Sequence, residues 1–320
     1  MIKGILYAAF ALLVWGVTFA NTRALLFDFS ALEIMVVRFA MAWLVLRGME
    51  AITPGRVTLP VVSSKPHCRD KAVTRRHADE WLFAGMGLTG VFVYQFLENC
   101  AIYYTNASNV AILVSFGPIV TAVFARVFTK DRSLSPTVVV GSLIAVFGVV
   151  LVSLNGVLNF NMRPLGDLIA LGAMTSWGAY SVLIDKANER GVAPLTAIRK
   201  AFGWSLVMML PLIVWGGTES GFYALDGSFS INLDRTENVL RFADPMNWMN
   251  LIFLGVFASA LSFIAWSKAC AALGVVRTTI CLYLEPIIGV GFAALFLGER
   301  PTLMSACGGA IIIVGVAVAN

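Results

Sequence analysis

One helix is written twice in this chain. The first copy runs from Val110 to Phe128, with Phe116, Gly117, Pro118 and Ile119 at its middle. The second runs from Val276 to Leu297, with Leu284, Glu285, Pro286 and Ile287 at the matching place. Pro118 and Pro286 lie 168 residues apart. Each copy ends in a short charged turn, Lys130-Asp131-Arg132 or Gly298-Glu299-Arg300. An apolar run with two glycines seven apart follows each turn: Gly141 and Gly148, then Gly308 and Gly315. The echo extends outward, from Trp15-Gly16 to Trp177-Gly178 and from Arg38 to Arg199. The chain therefore reads as two copies of one unit, 1–155 and 156–320. Such a repeat limits the fold more than any single segment does, because both units must pack by the same rule.

Composition settles the solvent. Of 320 residues, 59% are hydrophobic and 13% charged, against about 25% charged in soluble domains. Too few polar residues remain to cover a soluble surface. Apolar runs of about 20 residues are instead the length that crosses a bilayer. Ten such runs are expected, near 4–22, 31–49, 81–99, 107–128, 134–154, 166–185, 194–215, 248–271, 276–297 and 302–319. The expected fold is an all-α membrane protein of ten transmembrane helices, arranged as two inverted five-helix repeats. Five crossings per unit is odd, so the second unit enters the membrane from the opposite side. The N-terminal run resembles a signal peptide, but Ala20-Asn21-Thr22 is a poor cleavage site, and a retained helix is expected.

Lysine and arginine orient the chain. With the N-terminus cytoplasmic, 15 of the 23 fall on the inside and five on the outside, and three lie within spans. Both termini are thus expected on the cytoplasmic face of the cell membrane. The loop at 50–80 is basic and expected inside; that at 216–247 is acidic and expected outside. Both read as solvated connectors. The net charge of +5 lies in loops and does not mark a nucleic-acid surface. No CxxC pair, metal-ligand cluster or phosphate-binding loop occurs. The two histidines, His67 and His77, share the basic loop. Neither a cofactor, nor a metal, nor an enzymatic activity is expected.

Inverted repeats with mid-membrane breaks are the build of secondary transporters. Two similar units can exchange conformations, so a site on their axis opens to each side in turn. Pro118 and Pro286 fall about 15 Å into their helices at about 1.5 Å per residue, near the middle of a ~30 Å core. Each proline removes one helical hydrogen bond and is expected to kink its helix, freeing the carbonyls of Val114 and Leu282. Glu285, a carboxylate at that depth, is the leading functional candidate. It can take a substrate amine, an arginine or a coupling proton. Arg38 and Glu98 are expected to meet as a gate or charge pair, with Arg199 as the symmetry mate of Arg38. Gln95 and Asn99 stack on one face of their helix beside Glu98. With Tyr94, Ser115, Trp15, Trp177, Tyr180 and Tyr283 they form the candidate substrate-binding set. Partners implied are a small-molecule substrate, the lipid bilayer and a coupling proton or ion. A homodimer is compatible with the sequence.

The quoted residues resemble the drug/metabolite transporter superfamily, in its EamA-like ten-helix branch. The resemblance rests on Leu284-Glu285-Pro286-Ile287 leading to Leu297-Gly298-Glu299-Arg300 and the terminal glycines, and on the paler copy at Phe116–Arg132. Trp15-Gly16 and the stretch Asn99–Ser108 also follow the pattern. The resemblance implies a carrier of small metabolites, often an exporter of amino acids, with a central cavity lined by both halves. The first copy departs from it, with Gly117 where Glu285 stands. Sugars, nucleotide sugars and drugs are alternative cargoes within the class. A non-transporting membrane scaffold or sensor is the alternative outside it.

Overall fold

The computed structural model describes residues 2–25, 27–29, 31–52, 79–104, 107–129, 135–154, 164–216, 241–296 and 302–319. Among them the structure is helical, with no strand. The helices are α1 (Ile2–Leu25), α2 (Ala31–Ile52), α3 (79–104), α4 (107–128), α5 (Pro136–Leu154), α6 (Pro164–Glu189), α7 (Pro194–Gly216), α8 (Pro245–Leu273), α9 (275–296) and α10 (Leu303–Ala319). Among the described residues four segments are long and apolar enough to cross a bilayer: Pro136–Leu154, Pro164–Glu189, Pro245–Leu273 and Val275–Phe292. Ile2–Thr18, Ile112–Phe128 and Leu303–Ala319 are shorter apolar helices. Large apolar side chains such as Leu13, Phe147, Leu168, Leu210 and Ile313 point outward, the surface a lipid solvent requires. The basic and acidic connectors, both charged turns, His67 and His77 fall largely or wholly outside the described residues.

Helix ends follow local chemistry. Proline opens α5, α6, α7 and α8, where its missing N–H costs nothing. Asp244 caps α8 by accepting from the Met246 N–H at 2.8 Å. The corner between α8 and α9 is a single residue, Gly274, at φ 88°. That conformation favours glycine.

The two repeats are interwoven. Helix α1 packs on α8 and α9 of the second repeat; its counterpart α6 packs on α3 and α4 of the first. Helices α2 and α7 pack together, and each also meets a segment of the other repeat: α2 meets α8, α7 meets α3. The helix pair α5–α10 shows how the halves are related. A Cβ on Gly148 would sit 2.6 Å from the Gly308 carbonyl oxygen, and one on Gly141 would sit 2.6 Å from that of Gly315. So 148 faces 308 while 141 faces 315, and the two helices run antiparallel. The 167-residue offset converts one contact into the other. Copies related in this way share a two-fold axis perpendicular to their helices, which puts the axis in the plane of the membrane.

Both proline helices break where expected. In α4 the helix Ala107–Val114 stops, turns at Ser115-Phe116 and resumes as Gly117–Phe128. In α9 the tight turn Cys281–Leu284 separates Val275–Ile280 from Glu285–Phe296. The freed carbonyl expected at Leu282 is not open, because the tightened turn brings the Glu285 N–H onto it. At the other break Ser115 donates to the Ile112 carbonyl at 2.6 Å and the Phe116 N–H to that of Leu113 at 3.1 Å, neither of which is the Val114 carbonyl expected to be freed.

The structure adds a second matched pair of breaks. Residues Gly87–Val93 of α3 and Phe253–Leu261 of α8 form wide helical turns. Gly87 and Gly255 are again 168 apart. A Cβ on Gly87 would meet the Ala201 carbonyl oxygen of α7 at 2.4 Å, and one on Gly255 would meet the Arg38 carbonyl oxygen of α2 at 3.2 Å. Wide turns leave carbonyls unpaired and recur at functional sites.

Candidate functional site

The wide turns organise an aromatic cluster. Trp15 of α1 donates from Nε1 to the Ala258 carbonyl in the wide turn of α8 at 2.9 Å. Ser176 of α6 donates to the Thr89 carbonyl in the wide turn of α3 at 2.7 Å. Around these anchors the rings of Trp15 and Trp177 lie 6.0 Å apart, and each lies 5.2–6.4 Å from those of Phe263 and Trp266. Tyr94 joins them at 4.9 Å from Trp177, and Tyr180 at 5.3 Å from Trp177. A Cβ on Gly90 would lie 2.2 Å from the Tyr180 ring, so that ring lies flat on bare backbone in the wide turn of α3.

Beside the rings runs a polar chain. Arg38 of α2 donates from Nε to Ser259 Oγ at 2.6 Å and from Nη1 to Gln95 Oε1 at 2.9 Å. Gln95 donates from Nε2 to Glu98 Oε2 at 2.8 Å, and the Tyr94 hydroxyl donates to Glu98 Oε1 at 2.8 Å. Arg38 and Glu98 are therefore linked through Gln95 and not joined directly, as the sequence had led us to expect. The two lie on different helices, and the amide spans the gap while satisfying both charges. Asn99 follows on the same helix, half-buried. Glu285 lies within electrostatic reach of Glu98 and Tyr94. Its backbone oxygen lies 3.5 Å from where a Cβ on Gly16 would stand, next to Trp15. The residue as a whole is half-buried, and among the described residues no hydrogen bond or ion pair holds its carboxylate.

The remaining candidates fall elsewhere. Tyr283 packs in a separate cluster with Ala122, Ile280 and Ile312, beside Ser142; two residues from Glu285, it falls on a different face of the helix. Arg199 does not share the surroundings of Arg38. Its Nε lies 2.6 Å from Glu50 Oε2 at the C-terminal end of α2, since the second repeat is inverted and carries the mate towards the opposite end. Lys200 pairs with Glu80, and Arg190 with Asp79 at 2.9 Å. The N-terminal end of α2 is tied as well. Arg241 grips Glu33 at 2.6 and 3.0 Å, donates to the Asp28 carbonyl at 2.9 Å and lies over the touching rings of Phe29 and Phe242. Asn247 donates to Asp28 Oδ2 at 2.7 Å.

The ties match across the repeat. Asp28 corresponds to Arg190 and Asn247 to Asp79, by offsets of 162 and 168. One contact of the unit is thus kept at both ends with different chemistry. Arg241 and Glu33 are each only 11% exposed, so truncating one takes a largely water-excluded contact from the other. Arg241→Leu is expected to cost about 2 kcal/mol, and a double-mutant cycle with Glu33→Gln to show about 1 kcal/mol or more of coupling. Thermal unfolding in detergent measures both.

Phe263, Trp266 and Ser259 escaped the sequence reading. The repeat offset contained the signal: Phe263 stands 168 residues after Gln95, and Trp266 168 after Glu98. Polar residues of α3 and rings of α8 occupy equivalent places on either side of the axis.

The EamA-like transporter family model matches residues 2–154 and again 164–320. The chain belongs to this family. Among similar EamA-like proteins is a "Probable terminal-alkyne amino-acid exporter" of Streptantibioticus cattleyicolor, 27% identical over 300 residues, covering 91% of this chain and 92% of that one. A "Probable amino-acid metabolite efflux pump" of Escherichia coli is 26% identical over 238 residues, 73% of this chain and 74% of its own. A solved crystal structure superposes over 100% of this chain and 97% of its own, with a TM-score of 0.73 at 18% identity. That likeness shows the shared fold. The protein is an integral membrane transporter of the EamA type.

Proposed function

We propose that this EamA protein is a secondary transporter that exports small polar metabolites carrying an amino group, amino acids among them, by alternating access. In this reading ten helices cross the cell membrane with both termini in the cytoplasm, and a proton or ion drives the cycle. One observation carries it: a carboxylate without a hydrogen-bond or ion-pair partner among the described residues, Glu285, at the mid-helix break of α9, beside rings and a polar chain drawn from both repeats. Charge at that depth is costly unless it has work to do. The inverted repeat supplies two exchangeable conformations, and the tied ends of α2 supply contacts that each state can make or break. The names of the similar exporters agree with an amino-acid cargo.

The test is counterflow. The purified protein is reconstituted in vesicles loaded with unlabelled amino acids, and uptake of labelled tracer is followed. Protein-dependent accumulation above empty vesicles is the expected result. Its absence across amino acids, sugars and cationic drugs removes transport and leaves the scaffold reading.

A further inference from the structure

The site holds an anion and a cation that each lack a direct counter-charge. Among the described residues neither Glu285 nor Arg38 enters an ion pair. Arg38 is 9% exposed, and a charge so buried at membrane depth is costly unless something meets it. Its mate in the second repeat is treated differently: Arg199 faces the Glu50 carboxylate directly. The counter-ion nearest to hand for Arg38 is Glu98, yet the fold sets an amide between them. Gln95 turns its oxygen to Arg38 and its nitrogen to Glu98, and the Tyr94 hydroxyl takes the other Glu98 oxygen. Both oxygens of Glu98 are thereby engaged.

The guanidinium is not. It carries five N–H donors in a fixed plane. Nε is spent on Ser259 and Nη1 donates to Gln95, while Nη2 donates to nothing among the described residues. Ser259 belongs to α8 and Gln95 to α3, so the plane is clamped from two sides and its open N–H groups are held in one direction. A carboxylate is the charge-assisted acceptor such donors fit. The two open charges belong to one site. Tyr94 lies within electrostatic reach of both Arg38 and Glu285. Ser259 adjoins Ala258, whose carbonyl anchors Trp15, and Gly16 beside Trp15 lies against the Glu285 backbone. Neither Nη2 nor the Glu285 carboxylate is among the unpartnered polar atoms that the described fold seals from solvent, as it seals Trp177 Nε1 and the Tyr180 hydroxyl.

We propose that Arg38 is the residue that binds the carboxylate of the cargo. The ligand is a zwitterionic amino acid, with its carboxylate on Nη2 of Arg38 and its ammonium at Glu285. The site selects it over the amide, which keeps the ammonium and lacks the carboxylate. The cargo brings to each open charge the partner that the fold leaves out. This inference rests on the transport reading and narrows its cargo.

The experiment measures binding of L-leucine and L-phenylalanine, each against its own amide, to the purified full chain by calorimetry and thermal shift. The pH is held at about 6.5, below the α-amino range near 8, so every ligand carries the ammonium. Each acid is expected to bind at least about tenfold tighter than its amide. Arg38→Gln should bring that ratio to about threefold or less by weakening the acid alone. Arg38→Lys keeps the charge without the planar fork and should restore part of the preference. Glu285→Gln should weaken acid and amide alike, so the two positions report on opposite ends of the ligand. An arginine that only held helices together would not move the ratio. Unliganded melting points show whether the variants fold, and where an Arg38 variant does not, the wild-type ratios decide. Amides that bind as tightly as the acids overturn the inference, as does binding of none of the four compounds. Counterflow of amino acids alongside equal binding of the amides would leave transport standing and the Arg38 assignment refuted. An acid preference without counterflow would do the reverse.

Discussion

Vesicles carrying Glu285→Gln are expected to lose transport while the protein stays folded. Glutamine keeps the size and one hydrogen-bonding oxygen but cannot hold a charge. A hydrogen bond to a charged group contributes about 1.5–3 kcal/mol, so cargo flux at limiting concentration should fall about tenfold to a hundredfold. The loss should be confined to function. In the resting structure the carboxylate holds no partner among the described residues, so removing its charge strands nothing and should leave the melting point unchanged or slightly raised. Glu285→Asp retains the charge on a shorter stem and should retain part of the flux. Undiminished flux in the Gln variant would exclude Glu285 from the mechanism.

The second large effect is structural. Gly148→Leu should prevent α5 and α10 from meeting. Even a Cβ at that position would stand 2.6 Å from the Gly308 carbonyl oxygen and 2.7 Å from the Ile312 nitrogen. Both are backbone atoms, which cannot turn aside as a side chain can. Overpacking of this kind typically costs about 1–3 kcal/mol for a small excess, and a leucine here exceeds that. Little folded protein should be recovered by size-exclusion chromatography. Gly291→Ala is the matched control, since a Cβ there meets nothing within 4 Å; it should be neutral or stabilising by up to about 1 kcal/mol. A well-folded Gly148→Leu protein would mean that the α5–α10 contact is not what joins the halves.

These contrasts show what the residues declare in advance. Apolar runs announce helices because no other structure satisfies its own backbone in lipid. Proline announces a break, and both breaks fall at Pro118 and Pro286. The glycines seven residues apart mark the α5–α10 seam because only a missing Cβ allows that approach. The wide turns of α3 and α8 carry no such mark, as an extra residue in a helical turn depends on what packs against it. The same holds for the ties at the ends of α2. Glu33 and Arg241 are 208 residues apart, and nothing local pairs them. Phe263 and Trp266 were hidden for another reason: a repeat is found through identities, and these residues differ from their mates Gln95 and Glu98.

That difference has a consequence for how such a machine can be built. Two identical subunits meeting about a two-fold axis must present every charge twice. A carboxylate at the place of Glu285 would then face its own image, and each would disfavour the other's ionisation. Joining the units in one chain lifts that obligation. Gly117 stands where the image of Glu285 would be, so this acid meets no copy of itself, with a hydrophilic wall on one flank and a greasy one on the other.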